Sequence, residues 1–328
     1  MQSHPLCPWR MQVHHVVQET PDVWTIALIN HDFYRWQAGQ FALVQVGKSS
    51  QLRAYTLSST PGQSDFITLT VRHIEGGKGS HWLTQQVKAG DYVWLSDAQG
   101  EFTCEQHPAD RYLMMAAGCG ITPVISMCRW LHAHRPDARV TLCYSVRSEQ
   151  DVIFADALRA MQPWLALELV VENRPTADLP EGRITRERLK ALVPDMTQRT
   201  VMICGPAAYM QQVEGFAREL GAAEICLEQF TPADSSVTEA DAAEHTLRSA
   251  TKAEVGIFNA GETLLDALEK NQFAVDAACR AGVCGCCKTQ ILRGEYRTDS
   301  TQTLSAEEIA AGYVLACRCH PASDIVIS

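Results

Sequence analysis

The sequence is short of positive charge. Its 328 residues hold 28 Lys and Arg against 38 Asp and Glu, a net charge of −10. It therefore lacks the basic face that non-specific nucleic-acid binding needs. Long apolar runs are missing too. The longest, Leu113 to Ile121, is broken by glycines and stopped by Pro123, too short to cross a bilayer. The opening Met1-Gln2-Ser3-His4-Pro5-Leu6 has no basic region followed by an apolar stretch. No secretory signal is visible, and a cytoplasmic location is expected. Without export, thirteen cysteines point to reduced thiols and metal ligands, not to a disulfide framework. The odd count agrees. What is present is apolar enough, at 46% hydrophobic residues, to fill the cores of two or three domains.

The most pointed stretch is Cys279-Arg280-Ala281-Gly282-Val283-Cys284-Gly285-Cys286-Cys287. Cys279, Cys284 and Cys287 form C-x₄-C-x₂-C, and Cys317 follows after 29 residues. That is the thiolate spacing of a plant-type [2Fe–2S] cluster. A zinc site would more often show two C-x₂-C knuckles, which Cys317-x-Cys319 does not supply. Gly282 and Gly285 allow the sharp backbone turns that wrapping a small cluster requires. Cys286 and Cys319 fall outside the ligand spacing and are expected not to bind iron. Arg280 and the loop amides are expected to raise the cluster potential above the ~−400 mV of plant-type ferredoxins.

The first hundred residues read as short strands separated by turns: Met11–Val17, Val23–Ile29, Phe41–Val46, Phe66–Val71 and Tyr92–Ser96, a pattern that predicts a small β-barrel. Arg53-Ala54-Tyr55-Thr56-Leu57-Ser58 alternates a cation and an aromatic ring on one face with hydroxyls on the other. That combination suits a flat ligand carrying phosphate. Gly76-Gly77-Lys78-Gly79-Ser80 then runs into a predicted helix, whose free amides suit an anion. Each motif alone is more often structural. Together, upstream of a redox cluster, they point to a flat, phosphate-bearing ligand.

From about Arg111 apolar strands alternate with amphipathic helices, which implies a parallel sheet. Strands are expected at Tyr112–Ala117, Val140–Tyr144, Leu167–Val171 and Val201–Cys204, with helices at Val124–His132 and Ala208–Leu220. Ligands bind at the carboxyl ends of such strands. Gly118-Cys119-Gly120-Ile121-Thr122-Pro123 and Cys204-Gly205-Pro206 both fall there. The first is not the G-x-G-x-x-G fingerprint.

Taken together, these motifs resemble the ferredoxin–NADP⁺ reductase superfamily. The resemblance implies that Arg53 holds a flavin phosphate, that Tyr55 packs on the isoalloxazine ring, and that Thr56, where a serine is usual, hydrogen-bonds near flavin N5. Gly79 and Ser80 would hold the pyrophosphate of FAD, with Ser58 and Arg72 completing the cofactor-binding set. Gly118, Gly120, Thr122, Gly205 and Pro206 would form the nicotinamide site. Cys204 would lie near nicotinamide C4, and Glu228 and Phe230 would border both rings. Thr56, Cys204 and Glu228 are the expected catalytic residues. The bland readings are a buried strand-end thiol for Cys204 and a solvated carboxylate for Glu228. Arg147 could grip the 2′-phosphate of NADPH, yet NADH enzymes of the family also carry arginine here, and NADH is the expected donor.

Thr231 to Thr246, with four acids and no Lys or Arg, reads as a flexible linker. Beyond it come a strand at Lys252–Phe258, a helix at Thr263–Lys270, strand Lys288–Leu292, a capping box at Ser305–Glu308 and strand Asp324–Ile327, the β-grasp order of plant-type ferredoxins. The expectation is a multidomain α/β and β protein. It comprises an FAD-binding antiparallel β-barrel (1–108), a parallel α/β NAD-binding domain (109–230), a linker (231–248) and a C-terminal β-grasp ferredoxin (249–328). The module order, with Cys7-Pro8-Trp9-Arg10-Met11 and the run Cys279–Lys288, resembles the reductases of hybrid-cluster protein. That resemblance implies hybrid-cluster protein as acceptor, a role in nitric oxide or hydroxylamine detoxification, and electron flow from NADH through FAD to the cluster. The alternatives are the reductase component of a ring-hydroxylating oxygenase or demethylase, and an iron–sulfur redox sensor.

Overall fold

The computed structural model describes residues 3–29, 34–49, 51–174, 182–230, 244–251, 255–278, 280, 282, 284–301 and 303–328. The chain forms two compact units, Met1–Ser50 with Ala54–Gln229, and Gln51–Arg53 with Phe230–Ser328.

The first sheet is built from β1 (Trp9–Thr20), β2 (Val23–Ile29), β3 (Phe41–Gln45), β4 (Leu52–Thr56), β5 (Phe66–Arg72) and β6 (Tyr92–Leu95). They form one sheet in the order β4-β3-β6-β1-β2-β5. The sheet closes on itself. Leu57, just past β4, bridges Leu69 of β5 in antiparallel register, and Ser58 N–H donates to Thr68 O at 2.9 Å. Met11, Val13, Ile26, Leu28, Leu57, Ile67 and Leu69 fill the interior, as alternation along antiparallel strands requires. Between β5 and β6 lies α1 (Lys78–His81), continued by a π-helical turn, Trp82–Gln86.

The second layer system is a parallel sheet of β7 (Arg111–Ala117), β8 (Arg139–Val146), β9 (Leu165–Val171), β10 (Thr200–Cys204) and β11 (Glu224–Glu228), in the order β11-β10-β7-β8-β9. Helix α2 (Ile121–His134) covers one face and α5 (Ala207–Glu219) the other. The division is written into the strands. Tyr112, Met114, Ala116, Met202 and Cys204 pack with α2, while Leu113, Met115, Val201 and Ile203 pack with α5. Each fully buried aliphatic side chain contributes about 1.5–3 kcal/mol, so this two-faced burial decides the layer structure. Helix α2 starts earlier than expected, at Ile121, because Pro123 sits in its first turn, where no N–H is needed. Strand β11 and the short helices α3 (Ala155–Ala160) and α4 (Arg186–Leu192) were not expected.

The smaller unit holds β12 (Glu244–Ser249), β13 (Val255–Asn259), α6 (Leu264–Lys270), β14 (Lys288–Arg293), β15 (Tyr296–Thr298), α7 (Ala306–Ala310), β16 (Tyr313–Leu315), β17 (Cys319–Pro321) and β18 (Ile325–Ile327). The five-stranded sheet runs β13-β12-β18-β14-β16, with α6 packed on it through Leu264, Leu265 and Leu268. Strand β12 occupies the end of the stretch expected as linker. Its one buried side chain, Leu247, was too little apolar signal, and pairing with β13 and β18 makes the strand. The rest of the linker, 231–243, lies outside the described residues. The capping box at Ser305 is present, Glu308 N donating to Ser305 Oγ at 3.1 Å and Ser305 N to Glu308 Oε2 at 2.9 Å. Among the described residues no helix is long and apolar enough to cross a membrane.

Candidate functional site

The strand order reverses between β7 and β10. That is the switch point at which open α/β sheets bind ligands, and both glycine turns lie on it. Ala116, Cys204 and Glu228 stand side by side in register on β7, β10 and β11. Gly118 follows β7 at φ +53, a conformation that side chains disfavour. Gly120 permits close approach: a Cβ there would lie 2.0 Å from Cys204 O. Thr122 is buried, its Oγ1 donating to Cys119 O at 2.9 Å. Pro206 caps α5, and a Cβ on Gly205 would lie 2.9 Å from Tyr209 Cδ1. Cys204 is completely buried. Burial first, and then the Glu228 charge, pushes its thiol well up, so it is a neutral neighbour and not a thiolate. Glu228 is partly exposed. Phe230 is exposed and begins the smaller unit.

Beside this ridge a cavity of about 360 Å³, open to solvent, is lined by Arg72, Gly118, Ser145, Arg147, Asp151 and Tyr209 among others. Arg72 reaches it from the barrel, its guanidinium 3.3 Å from where a Gly118 Cβ would stand. Ser145 Oγ and Tyr209 OH are buried without completing a hydrogen bond, while Arg72 Nε faces Asp22 Oδ2 at 3.2 Å. Buried polar atoms normally have partners. Orphaned donors lining an open cavity fit a polar ligand such as a dinucleotide.

On the barrel, Arg53, Tyr55 and Thr56 share β4. Arg53 and Tyr55 are half-buried, and Thr56 is buried. Gly79 and Ser80 lie in the first turn of α1, where amides have no intrahelical partner. The Ser80 hydroxyl is occupied within that turn, accepting from Ile74 N at 3.1 Å and donating to Gly77 O at 3.1 Å. It shapes the turn while the backbone amides remain for an anion. Ser58 stands in the seam of the barrel. Its side chain is fully buried, and its hydroxyl lies 2.8 Å from both Thr68 Oγ1 and Thr70 Oγ1. Closing the barrel at Leu57 turns the Ser58 hydroxyl into the β5 seam.

In the smaller unit, Cys287 and Cys317 are buried with Sγ atoms 3.3 Å apart, and Cys317 N–H points to Cys287 Sγ at 3.5 Å. Sulfurs this close and not bonded can share one iron atom. Cys284 lies on the same loop, and Cys279 falls outside the described residues. Gly282 and Gly285 have φ of +76 and +73, the turns that their positions implied. Ser300 Oγ secures the loop by donating to Gly282 O at 2.8 Å. Cys286 turns its thiol to Cys284 O at 3.9 Å, and Cys319 is fully buried in the unit's core. This close pair of thiols, on a loop that also carries Cys284, fits two of the ligands of a [2Fe–2S] cluster.

Arg280 is not an isolated charge. Its Nη2 lies 2.6 Å from Glu269 Oε2 and its Nη1 3.7 Å from Asp266 Oδ1, both on α6. Sequence reasoning also missed Asp22 and Asp151, which sit beside Arg147. The spacing Ser148-x-x-Asp151 is a capping box, a local signal that could have flagged Asp151.

Comparison with known proteins agrees with this geometry. Family models match residues 13–104 (oxidoreductase FAD-binding domain), 114–215 (oxidoreductase NAD-binding domain) and 249–322 (2Fe-2S iron-sulfur cluster binding domain). The chain is 56% identical to the NADH oxidoreductase HCR of Escherichia coli strain K12, over 98% of each chain. It is 28% identical to the glycine betaine monooxygenase reductase subunit of Chromohalobacter salexigens, over 95% of this chain and 93% of that one. The solved structure of phthalate dioxygenase reductase shares the fold with a TM-score of 0.67 at 21% identity, covering 98% of this chain and 97% of that one. The chain therefore belongs to the ferredoxin–NADP⁺ reductase superfamily, as an electron-transferring oxidoreductase that uses NADH, FAD and one [2Fe–2S] cluster held by a C-terminal ferredoxin domain.

Proposed function

We propose that this reductase passes electrons from NADH to hybrid-cluster protein, and so serves nitric oxide or hydroxylamine detoxification. The observation that carries the acceptor is the 56% identity to NADH oxidoreductase HCR through all three modules. FAD, when bound, accepts the two electrons of a hydride and releases them singly, as a [2Fe–2S] cluster requires. This chain's residues do the positioning. Arg53 and the amides of Lys78, Gly79 and Ser80 neutralise and orient the flavin phosphates. Tyr55 supplies a flat surface for the ring, and the Thr56 hydroxyl holds the proton-exchanging edge. Gly118, Gly120 and Thr122 shape one wall for the nicotinamide, and Gly205 and Pro206 the other. Cys204 borders the ring as a neutral thiol that keeps water away, with the Glu228 carboxylate beside it. Cys279, Cys284, Cys287 and Cys317 would hold the cluster, which would take electrons one at a time. Such placement can supply much of the rate of hydride transfer.

The decisive experiment is stopped-flow reduction of purified hybrid-cluster protein by the NADH-reduced enzyme. Reduction should outpace that of an unrelated Rieske-type oxygenase by an order of magnitude or more. Equal rates would remove the proposed acceptor. The second reading, an oxygenase or demethylase reductase, draws on the likeness to the glycine betaine monooxygenase reductase subunit, and the same experiment with a Rieske-type acceptor would favour it. NADH-dependent reduction of ferricyanide separates either enzyme from a redox sensor.

A further inference from the structure

Arg147 follows β8, the strand next to the glycine-turn strand. A residue in that place meets the adenosine ribose of a bound dinucleotide, and an arginine there can grip a 2′-phosphate. Here the guanidinium is already engaged. Arg147 Nη2 lies 3.1 Å from Asp151 Oδ1 and 3.2 Å from Asp22 Oδ2. Neither carboxylate is loosely held. Asp151 Oδ2 accepts from Ser148 N at 3.0 Å and from Ser148 Oγ at 2.7 Å. Asp22 Oδ1 accepts from Thr20 Oγ1 at 3.1 Å, and its Oδ2 lies 3.2 Å from Arg72 Nε.

The charges around the cavity balance. Arg72 faces Asp22, Arg147 faces Asp22 and Asp151, and Arg183 pairs with Glu172 at 2.8 Å. Among the described residues lining the cavity, each arginine thus has a carboxylate against it. A ribose 2′-hydroxyl can donate to a carboxylate in such a rim. A 2′-phosphate would add nearly two negative charges beside Asp22 and Asp151, with no spare cation to meet them.

We propose that Asp22 and Asp151 set the preference for NADH over NADPH by occupying Arg147 and repelling a 2′-phosphate. Asp22 comes from the hairpin between β1 and β2, so the flavin barrel takes part in choosing the nucleotide. The inference rests on reading this cavity as the dinucleotide site. Arg147 is 61% exposed, so solvent screens these charges and each carboxylate is worth roughly a factor of ten in selectivity.

The test compares kcat/KM for NADH and NADPH in the holoenzyme, with ferricyanide as acceptor. Asp22→Asn and Asp151→Asn should each raise kcat/KM for NADPH about tenfold, and together further, while kcat/KM for NADH does not rise. Adding Arg147→Ala to the double variant should return NADPH to the starting value, a reversal that a loss of folding would not give. Ala208→Trp, an exposed substitution on the cavity wall, tests the site itself and should raise KM for NADH. An unchanged KM there would overturn both the site and the proposal. A raised KM with an unchanged NADPH-to-NADH ratio in the double variant would overturn the proposal alone.

Discussion

Gly120→Ala isolates the steric condition on which the nicotinamide site depends. Gly120 has φ −59 and ψ −10, a helical conformation that alanine adopts freely. On backbone entropy alone the substitution would stabilise the protein by about 0.4–1 kcal/mol. The added methyl, however, would stand 2.0 Å from Cys204 O, 2.4 Å from Cys204 C and 2.8 Å from Gly205 N. All three are backbone atoms and cannot rotate away. Real Cβ contacts do not fall below 3.0 Å, so the two turns must part by at least 1.0 Å. Overpacking of this kind costs about 1–3 kcal/mol, which offsets the entropic gain and leaves a folded but widened site. A misplacement of ~1 Å can cost about 100-fold in a reaction that needs near-attack geometry. The expected result is a hundredfold slower reduction of flavin by NADH in anaerobic stopped flow. Flavin content and the cluster absorbance should stay unchanged. Gly215→Ala is the control, because its Cβ on α5 meets nothing within 4 Å, and it should keep the rate while adding up to about 1 kcal/mol of stability. A Gly120→Ala rate within threefold of the parent would refute the argument that the two turns clamp the ring.

Other consequences can be checked separately. Cys286→Ser should keep the [2Fe–2S] absorption and EPR spectra, whereas Cys284→Ser should lose or alter them; loss of the cluster in Cys286→Ser would mean that the ligand assignment is wrong. Because Arg280 is paired with Glu269 and Asp266, its influence on the cluster is partly cancelled. Redox titration should give a small negative shift of midpoint for Arg280→Ala and a positive one for Glu269→Gln, and shifts of the same sign would be incompatible with a charge effect. Asp195 bridges Arg111 and Arg199, both at 2.7 Å. Burial by itself would raise its pKa, but hydrogen bonds from Arg199 and Arg111 outweigh that and hold it below the usual carboxylate range. Its contribution, about 2 kcal/mol for charged hydrogen bonds, is therefore present above the unfolded pKa of ~4 and disappears as pH falls through the lower folded value. Urea unfolding of Asp195→Asn against the parent should show a gap at pH 7 that closes towards pH 3, and a gap independent of pH would exclude the ion-pair origin.

What could be read directly from the chain was chemistry with a local signature. Gly118, Gly120, Gly282 and Gly285 announce sharp turns, and continuous apolar runs such as Tyr112–Ala117 announce strands buried on both faces. What could not be read depends on partners distant in sequence. Ser58 shares a strand face with Thr56 by alternation, yet closure of the barrel against Thr68 and Thr70 decides where its hydroxyl goes. Strand β11 mixes Glu224, Cys226 and Glu228 with Ile225 and Leu227, and owes its form to pairing with β10. Arg147 is the sharpest case. Its residue type and place after β8 invite a 2′-phosphate, and the local box at Ser148–Asp151 explains half of why it is occupied. The other half is Asp22, 125 residues earlier and in the turn between β1 and β2. Nucleotide choice in this chain is therefore a property of the joined flavin and nucleotide modules, and a flavin barrel exchanged for one without an acid at position 22 should shift selectivity towards NADPH although no residue of the NAD-binding fold has changed.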